Sequence, residues 1–143
     1  DSSPIPGERW DDTLRRTTAS IRAMYLRHLN ANLYVAEAAG YSDGLAEHTS
    51  KIYQLHERQG IPPEILRKAW RIIDAFLSGF IASELREICQ QPEHPDPQGR
   101  EWMETAETAY SQETFADGIE IIIAGIRGLA EPDPCEWRTP QQD

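Results

Sequence analysis

The sequence predicts an all-α fold in one domain. Two observations predict it: apolar residues recur at three- and four-residue steps along most of the chain, and no segment alternates apolar and polar residues between turn dipeptides. A length of 143 residues is typical of one ordinary domain, and such a chain buries a core without disulfides or a structural metal.

The first half of the chain predicts three helices. The first covers residues 12–29, with Asp11 or Asp12 as its cap. A short helix over 33–39 ends at Gly40, and a third over 45–59 ends at Gly60. Both ends follow from the ability of glycine to take a positive φ.

The second half is dominated by a long helix over 64–91, which Pro63 opens. Its apolar positions span an arc of about 180°, so we expect it to be covered on two sides. Three prolines break the chain in 92–99, a short acidic helix follows at 102–110, and a final helix covers 112–129. We expect residues 1–130 to form the domain and 131–143 to form an irregular or mobile acidic tail, with Trp137 able to hold it down.

The charge and the cysteines narrow the possible functions. A net charge of -10 repels phosphate backbones, which disfavours DNA binding by this chain alone. Cys89 and Cys135 have no CxxC spacing and indicate unpaired thiols in the cytoplasm. No apolar run reaches the length of about 20 residues that a membrane helix needs.

Residues 35–42 resemble the helix and turn that form the first half of a DNA-binding helix-turn-helix. The segment that follows, 43–55, carries Asp43 and Glu47 against the single cation Lys51. A recognition helix needs cations and amides for phosphates and base edges. Ordinary helix packing is therefore the favoured interpretation, and DNA reading by 35–55 stays as an alternative.

No pattern of catalysis or metal binding is present. The sequence has no GxSxG, GxGxxG, phosphate loop or HExxH. The four histidines, His28, His48, His56 and His94, lack the spacing of a metal site, and the row Glu101, Glu104 and Glu107 is typical of a solvated surface. We therefore predict no catalytic residue, no metal and no cofactor.

Aromatic and soft side chains cluster at matching depths on the first, third and long helices. They predict a mostly apolar ligand pocket of roughly 300 to 1,000 Å³. A close-packed core explains the same cluster equally well. The predicted lining residues are Met24, Tyr25, His28, Tyr53, Trp70, Ile73, Phe76 and Phe80.

The final helix is apolar over about 200°, more than a lone surface helix needs. Gly118 and Gly125 stand on one flank, where each glycine lowers helix stability by roughly 1 kcal/mol against alanine. Close approach of a second copy would explain them, and packing on the chain's own helices is the alternative. The predicted homodimer interface comprises Gly79, Leu85, Gly118, Ile121, Ile122 and Gly125.

Several phrases, in this order, resemble the C-terminal half of TetR-family transcriptional regulators over residues 10–129. They are the opening amphipathic helix with Arg27 and His28 before a break, the QGIPPE entry at 59–64, FLSGF at 76–80, and FADGIEIIIAGI at 115–126. The resemblance implies an antiparallel helical bundle. Such regulators contact DNA through a basic helix-turn-helix domain. The resemblance therefore implies that this domain makes the DNA contact, and no part of this sequence corresponds to it.

The resemblance further implies a mechanism based on binding, in a cytoplasmic homodimer. A small apolar effector would shift the helix at 12–29, which leads to the DNA-reading head, and so change operator affinity. Ionisable side chains near the expected walls are few, which favours a mostly apolar effector: Arg22, His28, His48, His56, Asp74 and Glu84. A free-standing all-α carrier or enzyme is the alternative from another class.

Overall fold

The structure is a computed structural model that describes residues 2–27, 43–90, 110–130 and 136–141. Within these ranges the helices are α1 (Trp10–Arg27), α2 (Asp43–Arg58), α3 (Pro63–Gln90) and α4 (Gln112–Leu129). The β-type pairing in the same ranges is one isolated bridge between Arg9 and Arg138. The predicted all-α class is confirmed.

The helix ends follow local rules. α4 begins and ends where the periodicity predicts. Its start is fixed by the Ser111 side chain, which accepts a hydrogen bond from the Thr114 backbone N–H at 3.1 Å. Gly60, with φ at 88°, follows α2, and Pro63 opens α3.

α1 starts at Trp10 rather than at residue 12. The Thr13 backbone N–H bonds to the Arg9 carbonyl at 2.9 Å, which closes the first turn two residues earlier than expected. Asp11 and Asp12 therefore stand inside the first turn, where negative charge favours the helix dipole, and not at the cap.

Three threonines allow α1 to bury a polar face. Thr13, Thr17 and Thr18 are all at most 2% exposed. Thr17 Oγ1 donates to the Thr13 carbonyl at 2.8 Å, and Thr18 Oγ1 donates to the Leu14 carbonyl at 2.7 Å. Bonding to the helix's own backbone satisfies these buried hydroxyls.

α3 lies at the centre and packs against α1, α2 and α4. One cluster of buried apolar side chains joins all four helices, from Trp10 on α1 and Ile52 on α2 to Ile123 and Ile126 on α4. The burial of α3 against several neighbours agrees with its wide apolar arc.

The chain's two terminal segments pair beside the start of α1. The Thr139 N–H bonds to the Glu8 carbonyl at 2.9 Å, and the Gly7 N–H bonds to the Thr139 carbonyl at 3.0 Å. Trp137 meets Trp10 edge to face, with ring centroids 5.8 Å apart. We call the paired segments 7–10 and 137–139 the terminal ribbon. Residues 136–141 are irregular in path but held in place, and Trp137 is an anchor.

Several predicted segments lie outside the described residues: the helix at 33–39, the 35–42 motif, the helix at 102–110 apart from Tyr110, the glutamate row at 101–107, and residues 131–135 and 142–143 of the tail. None of the helices in the described ranges is long and apolar enough to cross a bilayer.

Candidate functional site

A small apolar cavity lies where the four helices meet. Its volume is about 10 Å³, roughly the space that one water molecule needs and far below a typical ligand pocket of several hundred Å³. The walls are Trp10 and Leu14 of α1, His56 of α2, Ile61, Leu66, Ala69, Trp70 and Ile73 of α3 and the turn before it, and Ile126 of α4. A ligand must widen this space, so its entry would move helices apart.

Among the described residues of the cavity wall, His56 is the ionisable one, and it is 2% exposed. Its Nδ1 lies 2.9 Å from Gln59 Oε1. Burial in apolar surroundings lowers the pKa of His56 to about 4, against the opposing effect of the Gln59 hydrogen bond, so the ring is neutral at pH 7. Its Nε2 has no hydrogen-bond partner in the described part of the chain.

A buried network fixes the orientation of the Gln59 side chain. Gln59 Nε2 donates to Thr13 Oγ1 at 2.6 Å and to Thr139 Oγ1 at 3.3 Å. Thr13 Oγ1 in turn donates to Glu8 Oε2 at 2.7 Å. Glu8 is held ionised by the Arg16 guanidinium, which lowers its pKa. The cavity wall is thereby connected to the terminal ribbon.

The predicted pocket residues separate into two clusters. Trp70 and Ile73 line the cavity, and Tyr53 packs on Trp70 with ring centroids 5.7 Å apart. Phe76 and Phe80 belong to a second cluster, described next. Six residues of helix separate Trp70 from Phe76, which is about 9 Å along the axis and about 120° around it.

The second cluster lies between α3 and α4. Phe80 packs at 5.3 Å from both Phe115 and Tyr110, measured between ring centroids. Phe76 lies 5.6 Å from Phe115 and 5.4 Å from Phe80. These rings pack against one another, and neither Phe76 nor Phe80 is among the described residues that line the cavity. Their part in a ligand pocket stays a prediction.

The remaining predicted residues lie on or beyond the end of α1. Tyr25 is partly buried against the core, and burial followed by the nearby Asp74 charge raises its pKa. Met24 is half-buried. His28 lies outside the described residues. Neither Met24 nor Tyr25 is among the described residues that line the cavity.

α3 and α4 carry an apolar surface on their outer side. We call it the outer apolar face: Ile72 and Gly79 of α3 with Ile121, Gly125 and Leu129 of α4. Ile72, Ile121 and Leu129 are 57%, 73% and 56% exposed. A Cβ added at Gly79 or Gly125 would meet nothing within 4 Å. Exposed apolar surface of this kind marks interaction sites.

The exposed positions of α3 and α4 lie near one contact between the two helices. Phe76 packs against Gly118, where an added Cβ would lie 2.6 Å from Phe76 Cε2. Ile72 and Gly79 flank Phe76 on α3, and Ile121 follows Gly118 on α4. The exposed positions of both helices therefore stand within about one turn of this contact.

Two residues of the predicted interface face their own chain instead. Leu85 is 5% exposed and belongs to the core, because it lies on the inward side of α3. Gly118 makes room for Phe76, which is the alternative role that the sequence left open. Ile122 is partly buried against the core and lies at the edge of the outer apolar face.

Asp11 holds α1 to α4 and to the segment before α1. Its side chain is 4% exposed and pairs with Arg9 at 3.1 Å, Arg15 at 3.2 Å and Arg127. Desolvation would raise the pKa of Asp11, but the Arg9 and Arg15 hydrogen bonds and charges outweigh it and lower the pKa. Arg15 also reaches Glu120 of α4.

A second buried pair joins α1 to α3. Arg22 Nε donates to Glu84 Oε2 at 3.0 Å, and the Arg22 guanidinium lies 5.5 Å from the Phe115 ring centroid. These two residues, expected near the pocket, neutralise each other and make a structural contact. In the described ranges no group of three or more His, Cys, Asp or Glu side chains is placed to hold a metal.

Sequence reasoning missed Trp10, Leu14 and Ile126 as cavity walls and Gln59 as the partner of His56. The signal for Leu14 and Ile126 was present, since both lie on predicted apolar faces. Trp10 was missed because it precedes the predicted start of the first helix. Gln59 was missed because its side chain is oriented by hydrogen bonds to Thr13 and Thr139, which are distant in sequence.

The family comparison agrees with this architecture. A family model described as "Tetracyclin repressor-like, C-terminal domain" matches residues 3–129, a range that includes all four helices. No curated protein and no solved structure matches the chain significantly. Since the matched range covers most of the sequence, the chain belongs to the family of tetracycline-repressor-like C-terminal domains.

Proposed function

We propose that this domain senses a small, mostly apolar effector and dimerises within a TetR-like transcriptional regulator. Effector binding would change the DNA affinity of an N-terminal helix-turn-helix domain, which supplies the contact with DNA. Family membership supports a regulatory role rather than catalysis. The net charge of -10 supports the assignment of DNA contact to another domain.

The single observation that carries the sensing role is the position of the cavity. Side chains from all four helices line it, and its volume of about 10 Å³ leaves no room for an effector without helix movement. A ligand that binds a widened cavity favours the widened conformation by its differential affinity. Binding at this place is therefore coupled to the packing of α1 against α3 and α4.

The dimerisation role is supported by the outer apolar face. Ile72, Ile121 and Leu129 are each more than half exposed, and the glycines between them leave the helix backbones open to close approach. Two copies joined through this face would form a bundle of α3 and α4 from each subunit. The proposed interface keeps Gly79, Ile121, Ile122 and Gly125 from the sequence prediction and omits Leu85 and Gly118.

A thermal-shift screen with uncharged planar and aliphatic compounds tests the sensing role. A ligand present at 100 times its Kd stabilises the native domain by about 2.7 kcal/mol. We expect hydrophobic compounds to raise the melting temperature in a saturable way, and Ala69→Val, which adds two methyl groups at the cavity wall, to weaken the shift. The same shift in a variant with Ala124→Leu, on the exposed side of α4, controls for the substitution itself. Absence of any saturable ligand would contradict the proposal.

A further inference from the structure

The unpartnered nitrogen of His56 carries an inference about the chemistry of the effector. A buried polar atom without a hydrogen bond is rare in native proteins, because it loses its hydration and gains nothing in return. His56 Nε2 is such an atom within the described residues, on a side chain that is 2% exposed. The other nitrogen of the ring is already bonded to Gln59.

The surrounding network determines which nitrogen carries the proton. Thr13 Oγ1 donates to the Glu8 carboxylate at 2.7 Å, so it accepts from Gln59 Nε2 at 2.6 Å. Gln59 therefore presents its Oε1 to His56, and Oε1 only accepts. The proton of the neutral imidazole lies on Nδ1, and Nε2 offers a lone pair.

Among the described residues of the cavity wall, the polar groups besides His56 are the indole N–H groups of Trp10 and Trp70, and neither hydrogen-bonds His56 Nε2. Apart from His56, the side chains of the wall are aliphatic, together with the rings of Trp10 and Trp70. A buried water makes about three hydrogen bonds, which this wall cannot provide around one acceptor. The site thus favours a donor that arrives on an apolar body. An anion would lose its hydration beside a neutral ring and apolar walls.

We propose that His56 Nε2 accepts a hydrogen bond from the effector, and that the effector class is an uncharged, mostly apolar alcohol, phenol or N–H heterocycle. This inference rests on the proposed effector site and adds the residue and functional group that give it specificity. Neutral His56 acts only as an acceptor on this side, so the site distinguishes a hydroxyl from a methyl group of the same size.

The test compares two probes of equal shape, 2-naphthol and 2-methylnaphthalene. Their dissociation constants are measured by calorimetry with the parent chain, with His56→Phe, and with His48→Leu as a matched control on the same helix. One net hydrogen bond changes affinity by about three- to tenfold. We expect the parent and His48→Leu to prefer 2-naphthol by this factor and His56→Phe to lose the preference.

A second measurement needs no variant. In the parent chain labelled with 15N histidine, the His56 Nε2 resonance should move towards the protonated value on addition of 2-naphthol and stay in place with 2-methylnaphthalene. Equal affinity for both probes, or an unmoved resonance in the bound state, would overturn the hydrogen bond while leaving the effector cavity intact. If neither probe binds the parent, both this inference and the proposed cavity site fail.

Discussion

Gly118 of α4 faces the ring of Phe76 of α3 so closely that an added Cβ would lie 2.6 Å from Phe76 Cε2. Gly118→Ala should therefore destabilise the domain by about 1 to 3 kcal/mol through overpacking, although alanine is the better helix former. Gly128→Ala on the same helix meets nothing within 4 Å and should be neutral or slightly stabilising. Urea unfolding of both variants checks the opposite signs. Equal effects would contradict the close contact.

Gly125→Leu should disrupt the proposed homodimer. A leucine at this open position of the outer apolar face would overpack the seam between two copies, at a cost of about 1 to 3 kcal/mol. Sedimentation equilibrium at tens of micromolar should show a dimeric parent and a largely monomeric variant.

The matched control for the dimer is Ala124→Leu, which adds the same side chain at an exposed position beside the outer apolar face. It should associate as tightly as the parent. A monomeric parent, or a Gly125→Leu variant that remains fully dimeric, would exclude this interface.

His56 should make stability depend on pH in a defined window. Its pKa is about 4 in the folded state against about 6.5 when unfolded. Between pH 6.5 and pH 4 the His56 ring is protonated in the unfolded chain but not in the folded chain. The contribution of His56 to the free energy of unfolding is therefore fully present above pH 6.5 and falls as the pH decreases towards 4. The contribution to the slope approaches about 1.4 kcal/mol per pH unit.

Urea unfolding between pH 7 and pH 4.5 checks this dependence. His56→Phe should flatten the curve in that window. His48→Leu should flatten it less, because His48 is only half-buried, although burial also lowers its pKa. Glu8 and Asp11, whose pKa values are lowered, lose their contribution at more acidic pH. An unchanged slope in His56→Phe would show that the ring is not buried neutral.

Asp11→Asn should destabilise the domain. The substitution removes the 4% exposed carboxylate that pairs with Arg9, Arg15 and Arg127, whose side chains are each more than a third exposed, so we expect a loss of about 1 to 3 kcal/mol. Asp12→Asn, at a 56% exposed neighbour, should change stability by at most about 1 kcal/mol. Thermal unfolding of the pair distinguishes them, and similar losses would contradict the special role of Asp11.

Periodicity predicted the helices well because burial on one face leaves a local pattern. α4 has the predicted bounds, and α3 differs by one residue at each end. The start of α1 was misplaced because Trp10 is buried against residues that are distant in sequence, Trp137 among them, and no local pattern encodes such contacts. The same holds for the packing of residues 136–141.

The candidate site was predicted only in part, for a geometric reason. Trp70 and Phe76 are close in sequence, but the helix turns them towards different neighbours, Tyr53 and Phe115. Sequence alone likewise cannot distinguish Gly118 from Gly125, which stand on one flank, because the difference lies in whether a ring of α3 occupies the space opposite.

The terminal ribbon has a kinetic consequence. Glu8 and Thr139 stand near opposite ends of the chain, so their pairing closes a loop that contains all four helices. Closing such a loop is entropically expensive until the intervening helices have packed, so the ribbon should form after the folding transition state. Trp137→Ala, which removes its ring contact with Trp10, should therefore accelerate unfolding and leave the refolding rate nearly unchanged. The terminal ribbon would then form late in folding and slow the unfolding of the domain.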